Sequence, residues 1–163
     1  MVFSDAKKSL LRFLTGISPK LNWDKLFFGP EEFTIEEICI QSPEKLGELY
    51  TPWRDKNGVY ADGTDNSADA ICVKDASSYF QKWNKENELF FYRNIYNVQS
   101  YIHTEIVVYR IGENHLFILD GGHRAVSIYE SGKPFFLKMK VICGPIDKSI
   151  LIDLQKWQSS ENS

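Results

Sequence analysis

Six residues, Asp120-Gly121-Gly122-His123-Arg124-Ala125, constrain this chain more than any other stretch. They follow the apolar run Leu116-Phe117-Ile118-Leu119, which reads as a buried strand. They precede Val126-Ser127-Ile128-Tyr129-Glu130-Ser131, which reads as a short helix closed by Gly132. The order is strand, glycine pair, His-Arg, helix. Paired glycines let backbone N–H groups approach an anion closely, and a helix amino end adds partial positive charge. His123 and Arg124 place one tunable and one permanent cationic donor at the same spot. The arrangement suits phosphate.

The flanking pattern places this turn in an α/β setting. Thr104 to Ile111 reads as a strand, Gly112-Glu113-Asn114 as a hairpin turn, and His115 to Leu119 as the returning strand. Phe135 to Ile142 alternates, with Phe135, Leu137, Met139 and Val141 on one face and Lys138 and Lys140 on the other. Glu32 to Ile40 reads as an earlier strand, although Thr34-Ile35-Glu36-Glu37 also matches a capping box. Ser42-Pro43-Glu44 starts a short helix ending near Tyr50. Asp75 is expected to cap a helix through Tyr79, Phe80 and Trp83, closed by the polar residues Asn84 to Asn87. Leu89 to Val98 is aromatic and fits helix or strand.

Both ends add helices in this reading. Ser4 can cap one through Ala6, Leu10, Phe13 and Leu14, and Asp147 starts another through Ile150, Leu151, Leu154 and Trp157. Residues 51–69 are expected to form an irregular loop. Its acidic residues, among them Asp55, Asp62, Asp65 and Asp69, lack the spacing of a calcium loop, so it reads as a turn-rich solvated segment.

The 163 residues suit a single domain over 1–157, with a disordered tail at 158–163. A net charge of −3 speaks against binding driven by a general attraction to nucleic acid. No apolar run approaches the roughly 20 residues of a membrane-spanning helix. The amino-terminal segment lacks the uninterrupted apolar core of a secretion signal. Cys39, Cys72 and Cys143 are far apart and odd in number, as expected of reduced thiols in a cytoplasmic protein.

Residues 104–142 together resemble the ParB/sulfiredoxin-like superfamily. The resemblance rests on Phe117-Ile118-Leu119-Asp120-Gly121-Gly122-His123-Arg124-Ala125, then Gly132 and the strand Phe135 to Ile142. It covers about a quarter of the chain, with Phe33 to Ile40 as the counterpart of the early strand. It implies a small α/β fold with a mixed sheet, in which this turn binds nucleotide phosphates. Members include CTP-binding partition proteins, sulfiredoxins, an ADP-dependent serine kinase and ParB-like nucleases. Sulfiredoxins carry a reactive Cys immediately before the His-Arg pair, where this chain has Gly122, so sulfinic-acid reduction is not expected. About 20 residues follow Cys143, too few for the DNA-binding and dimerisation parts of a partition protein. The kinase members use a catalytic Glu near the early strand, which the order of the chain matches to Glu36 or Glu37.

The chemistry expected at the turn follows. Gly121 and Gly122 offer N–H groups, Arg124 bonds phosphate oxygens, and His123 donates to phosphate or acts as a general acid. Asp120 holds Mg²⁺ or orients His123, and Ser127, one helical turn on, touches the same ligand. Each role has a plainer rival. Asp120 can cap the helix, Arg124 can pair with a carboxylate, His123 can be structural, and Ser127 can be an ordinary helix residue. His103 and His115 have no metal spacing. Lys133, Lys138 and Lys140 could track a nucleic acid with Tyr101, Tyr109 or Tyr129 stacking on bases, but a solvated strand face explains them as well.

The function expected is therefore binding of a nucleotide such as ATP, ADP or CTP, or of a phosphodiester. Phosphoryl transfer or phosphodiester hydrolysis by His123, Asp120 and Glu37 would follow. The alternative is a non-catalytic nucleotide sensor or interaction module that meets a protein partner through residues 51–100.

Overall fold

The computed structural model describes residues 32–56, 59–60 and 70–146. They form an α/β fold built on a mixed sheet. Its strands are β1 (Thr34–Ile40), β2 (Tyr50–Lys56), β3 (Val59–Tyr60), β4 (Ala70–Cys72), β5 (Ile102–Gly112), β6 (His115–Asp120) and β7 (Phe135–Cys143). The spatial order is β1-β7-β5-β6-β2-β3, and β4 also pairs with β2. Pairing is parallel for β5 with β7 and for β2 with β6, and antiparallel elsewhere. The expected helices at 4–14 and 147–157 and the tail at 158–163 lie outside the described residues.

The helices are α1 (Pro43–Gly47), α2 (Val73–Lys82), α3 (Phe90–Asn97) and α4 (Gly122–Ser131). A single 3-10 turn, Glu86–Leu89, leads into α3, so the ambiguous 89–98 segment is helical. Ser42 caps α1 by accepting from the N–H of Lys45. Asp75 does not cap α2. The cap position is Cys72, because β4 runs straight into the helix and the N–H of Val73 is already bonded to the carbonyl of Leu49 at 2.9 Å. Asp75 sits instead in the first turn, where its charge complements the helix dipole. The far end of α2 closes in a Schellman motif. Asn84 takes the left-handed conformation at φ 53, and the N–H groups of Lys85 and Asn84 bond the carbonyls of Phe80 and Gln81.

One departure from the sequence reading matters for the site. Residues 51–56 are not loop but the body of β2. Thr51 is buried and its hydroxyl donates to the carbonyl of Ile71, tying β2 to β4.

The helices pack on one face of the sheet. There Ile106, Val108, Ile118, Leu137, Met139 and Val141 meet Ala76 and Phe80 of α2, Leu89 of the 3-10 turn, Tyr96 of α3, and Ala125, Val126 and Ile128 of α4. The spacing of Val73, Ala76, Tyr79 and Phe80 puts one apolar stripe of α2 on that core. Ile106 to Tyr109 are buried in succession, so the central strand β5 is covered on both faces. In β7 the expected alternation holds, with Phe135, Leu137, Met139 and Val141 buried. Among the described residues, no helix is long and apolar enough to cross a membrane.

The two left-handed glycines flanking α4 sit in different surroundings. A Cβ on Gly121 (φ +97) would fall within 2.9 Å of the Cβ of Ile106, whereas a Cβ on Gly132 (φ +64) would meet nothing within 4 Å. Gly121→Ala should therefore lose about 2–4 kcal/mol through combined backbone strain and overpacking. Gly132→Ala should lose only about 1 kcal/mol, from the backbone alone. Urea denaturation of both variants measures the difference; equal losses would contradict the packing described here.

Candidate functional site

The turn from β6 into α4 is tight because two bodies press on it from different sides. Gly121 faces Ile106 of β5. Gly122 lies under the indole of Trp53, where a Cβ would stand 2.9 Å from Cη2. The helix starts directly at Gly122, four residues earlier than the apolar pattern suggests, and its first bond runs from the N–H of Ala125 to the carbonyl of Gly121 at 2.9 Å. Among the described residues no side chain caps α4, and its first turn contains no acidic residue. The positive end of a ten-residue helix is thus left without a carboxylate of its own.

Arg124 spans three elements from α4. Its Nη2 lies 2.8 Å from Oδ2 of Asp120, the last residue of β6, and its Nη1 donates to the carbonyl of Glu105 in β5 at 2.8 Å. Arg124 is thereby paired with a carboxylate, the plainer of its two expected roles, whereas Asp120 is held by Arg124 and does not cap the helix. His123 points into an aromatic niche, with its ring 5.2 Å from Trp53 and 5.7 Å from Phe80. Its Nε2 is 3.9 Å from Oε1 of Glu88, close enough for attraction once the imidazole is protonated.

Glu37 is not at the turn. It lies across the sheet in a row that runs Glu37, Lys140, Val107, Asp120 over four neighbouring strands. Three strand spacings separate it from Asp120, roughly 14 Å at about 4.8 Å each. Its carboxylate is held by Lys140 at 2.6 Å and Lys138 at 3.1 Å. Those two hydrogen-bonded ammonium groups, Lys140 first, hold its pKa below the ordinary 4.5. Glu36, on the other face of β1, pairs with Arg110 at 3.2 Å.

Ser127 is also apart from the turn. It is buried against the cleft between α3 and α4. Lys133 donates from Nζ to the carbonyls of Tyr96, Asn97 and Gln99 at 2.6–2.7 Å, closing the carboxyl end of α3. With Lys138 and Lys140 engaged by Glu37, the three lysines considered as a nucleic-acid track are each engaged by a neighbour on the protein.

Sequence reasoning missed Trp53, Phe80, Glu88 and the Glu105 carbonyl. Trp53 belongs to a strand whose sequence has the composition of a loop. The carbonyl has no sequence signal at all. Cys39, Cys72 and Cys143 are free thiols. Among the described residues, no group of three or more His, Cys, Asp or Glu side chains is arranged to hold a metal ion. No protein-family model, curated protein or solved structure matches this chain, so the site is read from its own residues.

The lowered pKa of Glu37 fixes a pH dependence. Its pairing with Lys140 and Lys138 stabilises the fold fully above the ordinary 4.5 and is lost as pH falls through the depressed folded value. The stability difference between wild type and Glu37→Gln should therefore shrink as pH is lowered below 4.5. Denaturant titrations across that range check it, and a difference independent of pH would refute the pairing.

Proposed function

We propose that this protein binds a nucleotide or another phosphate ester at the amino end of α4. The observation that carries the reading is an uncapped helix start with Arg124 and His123 in its first turn, at the carboxyl end of β6, which runs parallel to β2. Ligands of open α/β sheets favour such carboxyl ends, and helix starts favour anions. The resemblance of residues 104–142 to the ParB/sulfiredoxin-like superfamily supports the same ligand class. The free thiols accord with a cytoplasmic setting.

In this reading, phosphate oxygens take over the Arg124 guanidinium from Asp120. The Asp120 carboxylate is then released beside the phosphate. Mg²⁺ commonly uses one or two carboxylates together with substrate phosphates, so Asp120 is the protein group that would hold it. Bound there, the ion would neutralise phosphate charge. His123 is the acid–base group in reach for phosphoryl transfer or phosphodiester hydrolysis, and the preorganised donors at the helix start would stabilise developing charge. Glu37 has no part, being held three strands away by Lys138 and Lys140.

A second reading, a non-catalytic nucleotide sensor, draws on that same distance. With Glu37 remote and Asp120 paired to Arg124, His123 is the side chain of the turn left to move a proton.

Thermal melts with ATP, ADP, CTP, GTP and short single-stranded DNA, each with and without Mg²⁺, test both. A ligand at about 100 times its dissociation constant should stabilise the fold by roughly 2.7 kcal/mol. The shift should disappear in Arg124→Ala. Turnover lost in His123→Ala while binding persists would identify an enzyme; binding without turnover would identify a sensor. No shift with any ligand would reject the phosphate site.

A further inference from the structure

The face of α4 that carries Ser127 looks away from the turn, into a cleft walled on its other side by α3. The cleft has a volume of about 300 Å³, at the small end of the range for small-molecule sites. Its cations are engaged by neighbours on the protein. Arg93 donates to Glu130 through Nε at 3.1 Å and Nη2 at 2.8 Å, and also reaches Glu86 at 3.4 Å. The ammonium of Lys133 is surrounded by three backbone carbonyls. Both cations of the lining are thus already engaged, Arg93 by Glu130 and by Glu86 beyond the cleft, and Lys133 by the carboxyl end of α3.

Uncharged polar groups remain. Ser127 is 2% exposed, and its Oγ has no hydrogen-bond partner among the described residues. Buried hydroxyls nearly always have one, and an unmade bond is costly. Nearer the rim stand the exposed amides of Asn94 and Asn97. Hydroxyl and carboxamide groups each donate and accept. Their natural complement is a ligand whose own groups also do both, without charge.

We propose that the α3–α4 cleft is a binding site for a small neutral polyhydroxylated molecule, of monosaccharide or cyclitol size, with the Ser127 hydroxyl as its innermost contact. The site is separate from the amino end of α4 and does not depend on phosphate binding there. The Arg93–Glu130 bridge joins its two helical walls and sets their spacing.

The test is a heteronuclear NMR titration of the full chain with D-glucose, D-ribose and myo-inositol, paired with melting curves of Ser127→Ala and Asn97→Ala. At least one ligand should give saturable shifts centred on Asn94, Asn97 and Ser127. Each substitution should weaken binding about five- to tenfold, the worth of one hydrogen bond. Without ligand, Ser127→Ala should melt at the same or a higher temperature than wild type, because it removes a buried hydroxyl that has no partner among the described residues. Asn97 is exposed, so its variant folds regardless and keeps the binding test valid. Absence of saturable shifts with all three compounds would overturn the proposal. So would binding that Ser127→Ala and Asn97→Ala leave unchanged, or a Ser127→Ala variant that melts lower and binds as wild type.

Discussion

The close approach of Gly121 to Ile106 is the contact on which the other features of the β6–α4 corner depend. It lets the chain leave the sheet and enter a helix with no intervening loop, so α4 lies directly over β5 and β6. Arg124 then completes the corner by holding Asp120 and the Glu105 carbonyl at once. The energies of the two contacts differ. A half-exposed ion pair contributes on the order of 1 kcal/mol or less after solvent screening. Full burial of a side chain the size of Ile106 contributes about 1.5–3 kcal/mol. Packing therefore sets the position of α4, and Arg124 fixes its orientation.

Burial of β5 on both faces explains where charge is allowed. Ile106 to Tyr109 lie in its centre, and the Tyr109 hydroxyl donates to the carbonyl of Pro145 at 2.6 Å. Polar side chains are pushed to the β1–β7 margin and to the helix surfaces. At that margin Glu37 serves Lys138 and Lys140 together, and Glu36 serves Arg110 on the opposite face. Exposed pairs of this type contribute little to stability. They do fix the register of β1, since a slip of one residue would exchange Glu36 with Glu37 and turn Ile38 away from the core.

Where local chemistry decided the outcome, the sequence was sufficient. The hairpin at Gly112–Asn114, the alternation of β7, the start of α1 at Ser42-Pro43 and the stop of α4 at Gly132 each follow from a residue acting on its immediate neighbours. Contacts between distant segments were illegible. Nothing in Thr51-Pro52-Trp53 announces a strand, because β2 is defined by β4 and β6 on either side. Asp75 had the chemistry of a cap, but β4 ran into α2 three residues earlier. By its local chemistry the glycine pair offers room for an anion. It is at least as much room for Ile106 and Trp53, and only the folded arrangement separates those reasons. The order of Glu37 along the chain carries no information about which strand of the sheet its own strand joins, and β1 pairs with β7.

The pairing of Arg124 with Asp120 also constrains any anion proposed for the helix start. A ligand that takes the guanidinium must displace a carboxylate already 2.8 Å away, exchanging one charge-assisted bond for another. That exchange is close to neutral for a ligand of single charge. Net affinity must then come from the helix dipole, worth about 0.3–1 kcal/mol and up to ~2 kcal/mol when partly buried, and from His123 once protonated. A phosphate monoester carries about −1.5 to −2 charges near neutrality and has three acceptor oxygens. It can occupy Arg124, the backbone and the imidazole together, which a carboxylate cannot. On the proposed reading, Asp120 is therefore a built-in competitor that sets a threshold of charge. Terminal phosphates of nucleotides exceed it by the widest margin, whereas a singly charged diester draws its net affinity from the helix start and His123 alone.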